Sequence, residues 1–166
     1  MSLVETIVAA AKPWADVYAA SKPLSTTFTF AHIASLVVGG GLAIASDRSV
    51  LRARGLAAEE RPRFLREFGT VHRPVVGALG VLVLTGLAMM LSDAETYLTA
   101  WVFWVKIGLF VALLGNGFLV TRVERALAAN PVPSNPMWRR FRIGAMVSMA
   151  LWLTVTLFGV IVTSAA

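Results

Sequence analysis

Hydrophobic and polar positions separate along this chain into four long apolar stretches divided by short polar segments. The first runs from about Pro23 to Ser46 without a charge, and the second from about Pro74 to Leu91. The third covers about Leu98 to Thr121 and is interrupted only by Lys106; the fourth, about Ile143 to Thr163, is again uncharged. A helix needs about 20 residues to cross a bilayer, and none of these stretches alternates with the two-residue period of a barrel strand. The pattern predicts an all-α protein, an integral membrane four-helix bundle forming a single membrane domain.

Two further segments are read from the same pattern. In residues 1–22, Leu3, Ile7, Val8, Trp14, Val17 and Tyr18 form one apolar face, predicting a short amphipathic helix broken at Pro13. Such a helix lies along the membrane interface, with Trp14 and Tyr18 at headgroup depth. It does not read as a signal peptide, because Glu5 stands where a basic region belongs and no clean apolar run follows. The run Asn130-Pro131-Val132-Pro133-Ser134-Asn135-Pro136 predicts an irregular turn.

Composition agrees: 57% of residues are hydrophobic, 14% are charged, and mean hydropathy is +0.74. With no cysteine, disulfides, thiolate metal sites, iron–sulfur clusters and covalently attached haem are excluded. The net charge of +6 does not point to nucleic acid, because the basic residues flank the apolar stretches as orientation signals do. Arg48, Arg52, Arg54, Arg61, Arg63, Arg66 and Arg73 lie between the first two stretches, and Arg122, Arg125, Arg139, Arg140 and Arg142 between the last two. The remaining connection, Ser92 to Tyr97, carries Asp93 and Glu95 instead. The positive-inside rule then puts the arginine-rich connections in the cytoplasm and both termini outside, in a bacterial inner membrane.

Candidate chemistry is sparse. Lys106 is the one formal charge deep inside a span, and the spans hold no Asp or Glu to pair with it. It either snorkels to the outer face or meets a ligand carboxylate. His32, in the first span, falls at a similar depth, about 4–7 Å outward of the centre by helical rise. Neutral imidazole is a usual axial ligand of haem iron, so His32 is a candidate metal ligand. Gly39 and Gly40 share its helical face and either leave room for a flat macrocycle or allow close helix packing. His72, at the inner mouth of the second span, lies roughly 15 Å from His32 along the membrane normal, so the two are not expected on one iron. It either serves a separate site or is interfacial. Asp47 and Arg48 read as a local anchor pair, Met89 and Met90 as packing rather than soft copper ligands. Thr85 and Asn116 read as inter-helix hydrogen bonds, and Trp101, Trp104, Trp138 and Trp152 as a set that includes belt residues.

The run His32-Ile-Ala-Ser-Leu-Val-Val-Gly-Gly, then Asp47-Arg48, Thr85-Gly86-Leu87-Ala88 and Trp101-Val-Phe-Trp-Val-Lys106-Ile-Gly-Leu109, resembles a group of four-to-five-helix bacterial membrane proteins. The group includes HemJ-type protoporphyrinogen oxidases and CopD-like copper-resistance proteins; the N-terminal amphipathic helix departs from it. The resemblance implies His32 as a ligand of haem b and Lys106 as a catalytic lysine facing a carboxylate. The expected function is therefore a haem-b-binding membrane redox protein, working with a membrane redox partner or quinone. A non-catalytic subunit of a homo-oligomer or larger complex, or a CopD-like transport module, is the alternative.

Overall fold

A computed structural model describes residues 2–130, 132 and 134–165, with side chains as far as Val162. Among these residues the chain is helical, without strands: α1 (Leu3–Ala20), α2 (Lys22–Arg52), α3 (Arg61–Thr70), α4 (His72–Ser92), α5 (Ala94–Thr99), α6 (Trp101–Ala129) and α7 (Met137–Ala165). Four of them, α2, α4, α6 and α7, are long and apolar enough to cross a membrane. They carry large apolar side chains on their outer faces: Val37 is 65% exposed, Leu84 68%, Phe118 58% and Leu153 65%. Apolar surface on that scale belongs against lipid, and the chain is a multi-pass membrane protein.

The helices do not form a closed ring. α2 packs on α4, α6 on α7, and α2 on α7, whereas α4 and α6 share at most a marginal contact. The gap between α4 and α6 is floored by α2 and α7. Gly39 sets the α2–α4 approach, since a Cβ there would stand 2.8 Å from the Ala78 Cβ. A Cβ on Gly40 would stand 3.1 Å from the Trp152 ring. The space in front of both glycines is thus filled by protein, which is what close packing of helices requires.

The chain is more helical than its sequence pattern predicts. α1 is continuous through Pro13 rather than broken there. Proline removes one backbone donor, and the loss is tolerated because the helix is braced along its length. A capping box of Ser2 and Glu5 closes its start, and Trp14 Nε1 donates to the Ala88 carbonyl of α4 at 2.8 Å. Trp14, Tyr18 and Phe28 stack around that bond. α1 therefore docks on α4 and α5 instead of only lying at an interface. α6 also continues beyond Thr121, to Ala129.

The arginine-rich connection between α2 and α4 folds as well. In α3, Phe64, Leu65 and Phe68 fall on one face and pack toward α6, while Arg63, Arg66 and Glu67 face outward. Val50, Leu65, Phe68, Leu127, Trp138 and Phe141 form a tight core at this end. Trp138 and Trp152 are both buried, at 4% exposure, so neither is a belt residue; Trp101 and Trp104 are exposed and suit that role. Trp138 lies beneath the Arg61 guanidinium, 4.7 Å from ring centroid to Cζ.

Candidate functional site

The gap between α4 and α6 contains two cavities, one in each half, and Trp152 is a wall of both. The arginine-poor half holds a cavity of about 490 Å³. His32 of α2 and Lys106 of α6 both line it, so the two residues that depth counting put at one level do share a space. Its other walls are mostly apolar, with Leu36, Leu82, Phe110 and Val155 among them. Met89 and Met90, read as packing, line it too, as does Tyr97 of α5.

His32 is oriented by a hydrogen bond to the neighbouring helix. Its Nδ1 lies 2.8 Å from the Thr85 Oγ1, and that hydroxyl is in turn 2.6 Å from the Val81 carbonyl. A hydroxyl has one proton, and a carbonyl can only accept, so Thr85 donates to Val81 and accepts from Nδ1–H. The imidazole is therefore the Nδ1–H tautomer, with the lone pair on Nε2. Gly86 makes this possible: a Cβ at that position would stand 3.2 Å from the His32 Cε1. Thr85 is the inter-helix hydrogen bond the sequence predicts, with a function beyond packing, because it decides which nitrogen can accept.

Lys106 is half-buried and makes no ion pair among the described residues. Its Nζ lies 3.6 Å from the place a Gly159 side chain would begin, so α7 yields the room for the ammonium. Nothing in the sequence distinguishes Gly159 from the other glycines; only packing reveals it. Tyr97 lines the same cavity, and burial, then Asp93 and Tyr18, push its phenol above the ordinary 10.0. Tyr97 is therefore a neutral hydroxyl, able to donate and accept, across physiological pH.

The arginine-rich half holds a second cavity of about 430 Å³, lined by Asp47, His72, Ser148, Arg122 and Arg125 among apolar residues. His72 is thus not brought to His32, in keeping with their expected offset. Its Nε2 lies 3.7 Å from the Glu124 Oε2, and its ring stands edge-on to Phe68 at 5.4 Å. Asp47 is only 4% exposed and faces Ser148 rather than pairing with Arg48 as a surface anchor. Its role was hidden because a carboxylate at the end of an apolar stretch looks like an interfacial residue until α7 covers it. Asn116 makes its expected inter-helix bond, donating to the Gly144 carbonyl at 3.0 Å.

Gly39 and Gly40 stand on the same helix but outside the lining of either cavity. Among the described residues, no group of three or more His, Asp or Glu side chains is placed to hold a metal ion. No protein-family model, curated protein or solved structure matches this chain.

Proposed function

We propose that this protein binds haem b in the cavity of the arginine-poor half and works there as a membrane redox protein. The observation that carries the reading is that His32 and Lys106, on different helices, line one apolar cavity. His32 has a single lone-pair nitrogen, and Thr85 accepts from its other nitrogen, which orients the ring and strengthens it as a ligand. The Lys106 ammonium lacks a carboxylate partner among the described residues, and a propionate would supply one. Because the described residues offer no cluster of metal ligands, iron would have to arrive with most of its ligands already in place, as it does in a porphyrin. Bound there, haem would supply one-electron chemistry to a membrane partner or quinone.

The chain's own residues have separate parts in this scheme. His32 holds the centre, Lys106 orients the carboxylate edge, and Leu36, Leu82, Phe110 and Val155 exclude water. In a bacterial inner membrane the arginine-rich end faces the cytoplasm, so the site opens toward the outer leaflet. The resemblance to HemJ-type and CopD-like proteins, which implies a haem-ligand role for His32 and a carboxylate-facing role for Lys106, supports this reading.

The test is an absorption spectrum of detergent-purified protein from haem-replete cells. A Soret band that is lost in His32→Ala and weakened in Lys106→Ala supports the assignment. Wild-type protein without a Soret band, or a band untouched by His32→Ala, overturns it.

A further inference from the structure

The arginine-rich half of the gap between α4 and α6 carries its own chemistry, independent of the site just described. Its walls combine opposite charges. Asp47 is 4% exposed; Ser148 faces its carboxylate, but its Oδ2 has no hydrogen-bond partner among the described residues. Arg122 and Arg125 of α6 line the same cavity with exposed side chains, Arg122 braced over the Phe118 ring at 4.6 Å. Beside Ser46, His72, Thr121 and Ser148, the remaining walls are mostly apolar, with Ala43, Val75, Leu79, Leu113 and Leu114 among them. A buried carboxylate oxygen without a partner is costly, and it calls for a donor.

The depth of this set identifies the kind of donor. Measured from the His32–Thr85 contact, Asp47 lies about 22 Å along α2 and His72 about 20 Å back along α4. Both distances end at the arginine-rich end of the spans, where a leaflet's headgroups lie and its acyl chains point back into the gap.

We propose that this half of the gap holds one aminophospholipid. The primary ammonium of the lipid donates to Asp47, its phosphate meets Arg122 and Arg125, and an acyl chain runs along the apolar walls toward Trp152. Each part of the headgroup has a matching part of the cavity. A purely anionic headgroup would put negative charge beside Asp47 and the nearby Glu124, and a trimethylated headgroup has no N–H to give Asp47. The site thus selects by the ammonium, with the phosphate as a shared anchor.

Native mass spectrometry of the delipidated full chain tests this, with phosphatidylethanolamine, phosphatidylcholine and phosphatidylglycerol of identical acyl chains offered at equal concentration. Phosphatidylethanolamine should be retained about tenfold over either competitor, the worth of one charge-assisted hydrogen bond. Asp47→Asn should remove that preference, leaving phosphatidylethanolamine and phosphatidylcholine equal. The exposed Arg122→Ala/Arg125→Ala double variant, which leaves the buried core intact, should weaken all three, and His32→Ala should change none. Equal retention of the three lipids by wild-type protein, preference for phosphatidylglycerol, or no retained lipid overturns the proposal. So does a preference that survives in Asp47→Asn.

Discussion

The two halves of this molecule each hold a cavity but are packed differently around it. At the arginine-rich end, α2, α3, α6 and α7 converge on a core in which Leu65, Leu127, Phe141 and Val50 are almost wholly enclosed. Some polar groups there meet local partners: the Arg61 guanidinium lies over Trp138 and His72 stands beside Glu124, while the Asp47 Oδ2 has no hydrogen-bond partner among the described residues. At the other end the spans stand apart around a cavity, with an ammonium that has no ionic partner among the described residues. Close packing favours stability, whereas unfilled apolar space and an uncompensated charge favour binding. The difference teaches that a cavity opens in each half of the gap, but a tightly enclosed core braces only the arginine-rich end.

That division breaks if the core at the arginine-rich end is not the main source of stability. Phe141 is fully buried, so Phe141→Ala should cost about 3–5 kcal/mol by its lost contacts and the remaining void. Unfolding in mixed detergent micelles measures this, and Phe103→Ala, which borders the existing cavity, should cost far less. If the two losses are equal, the comparison fails.

A second test concerns the α2–α4 approach. Gly39→Leu should destabilise by about 1–3 kcal/mol through overpacking against Ala78, while Gly41→Leu, with nothing within 4 Å, should be close to neutral. Matching unfolding midpoints for the two variants would mean that the helices can separate freely.

Lys106 gives an effect of the opposite sign. Replacing an unpaired ammonium in a span with an apolar side chain of similar length removes a desolvation penalty. Lys106→Met should therefore stabilise the ligand-free protein by about 1–2 kcal/mol while weakening haem binding. A destabilised Lys106→Met would show that the lysine holds the bundle together instead of serving a ligand.

The smallest effect expected is in Tyr97. Its folded-state phenol titrates above 10.0 because burial, Asp93 and Tyr18 oppose the charged form. A group with a raised folded value contributes its full stability below the unfolded value and loses it as pH rises through the folded one. Stability should therefore be flat below pH 10 and decline above it, more steeply in wild type than in Tyr97→Phe. Ultraviolet absorbance during an alkaline titration should show a late-titrating tyrosine that Tyr97→Phe removes.

The sequence by itself determined the class of protein and the residues worth watching. Spans of about twenty apolar residues can satisfy their backbone in lipid only as helices, so four membrane helices follow from local pattern alone. Because rise per residue is constant, His32 and Lys106 could be placed at one level before any packing was known. Thr85 and Asn116 were legible for a related reason: a polar group in an apolar helix must find a partner across the bundle. Depth along a helix is a local quantity. Azimuth and neighbour choice are not, and they rest on which side chains fit together. Only the tertiary structure decided that α4 and α6 stay apart, that Asp47 is covered by α7, and that Pro13 sits in an unbroken helix. The same holds for Gly86 and Gly159, whose missing side chains make room for the imidazole and the ammonium. A glycine's sequence position says nothing about what approaches it, because that is settled by the partner helix.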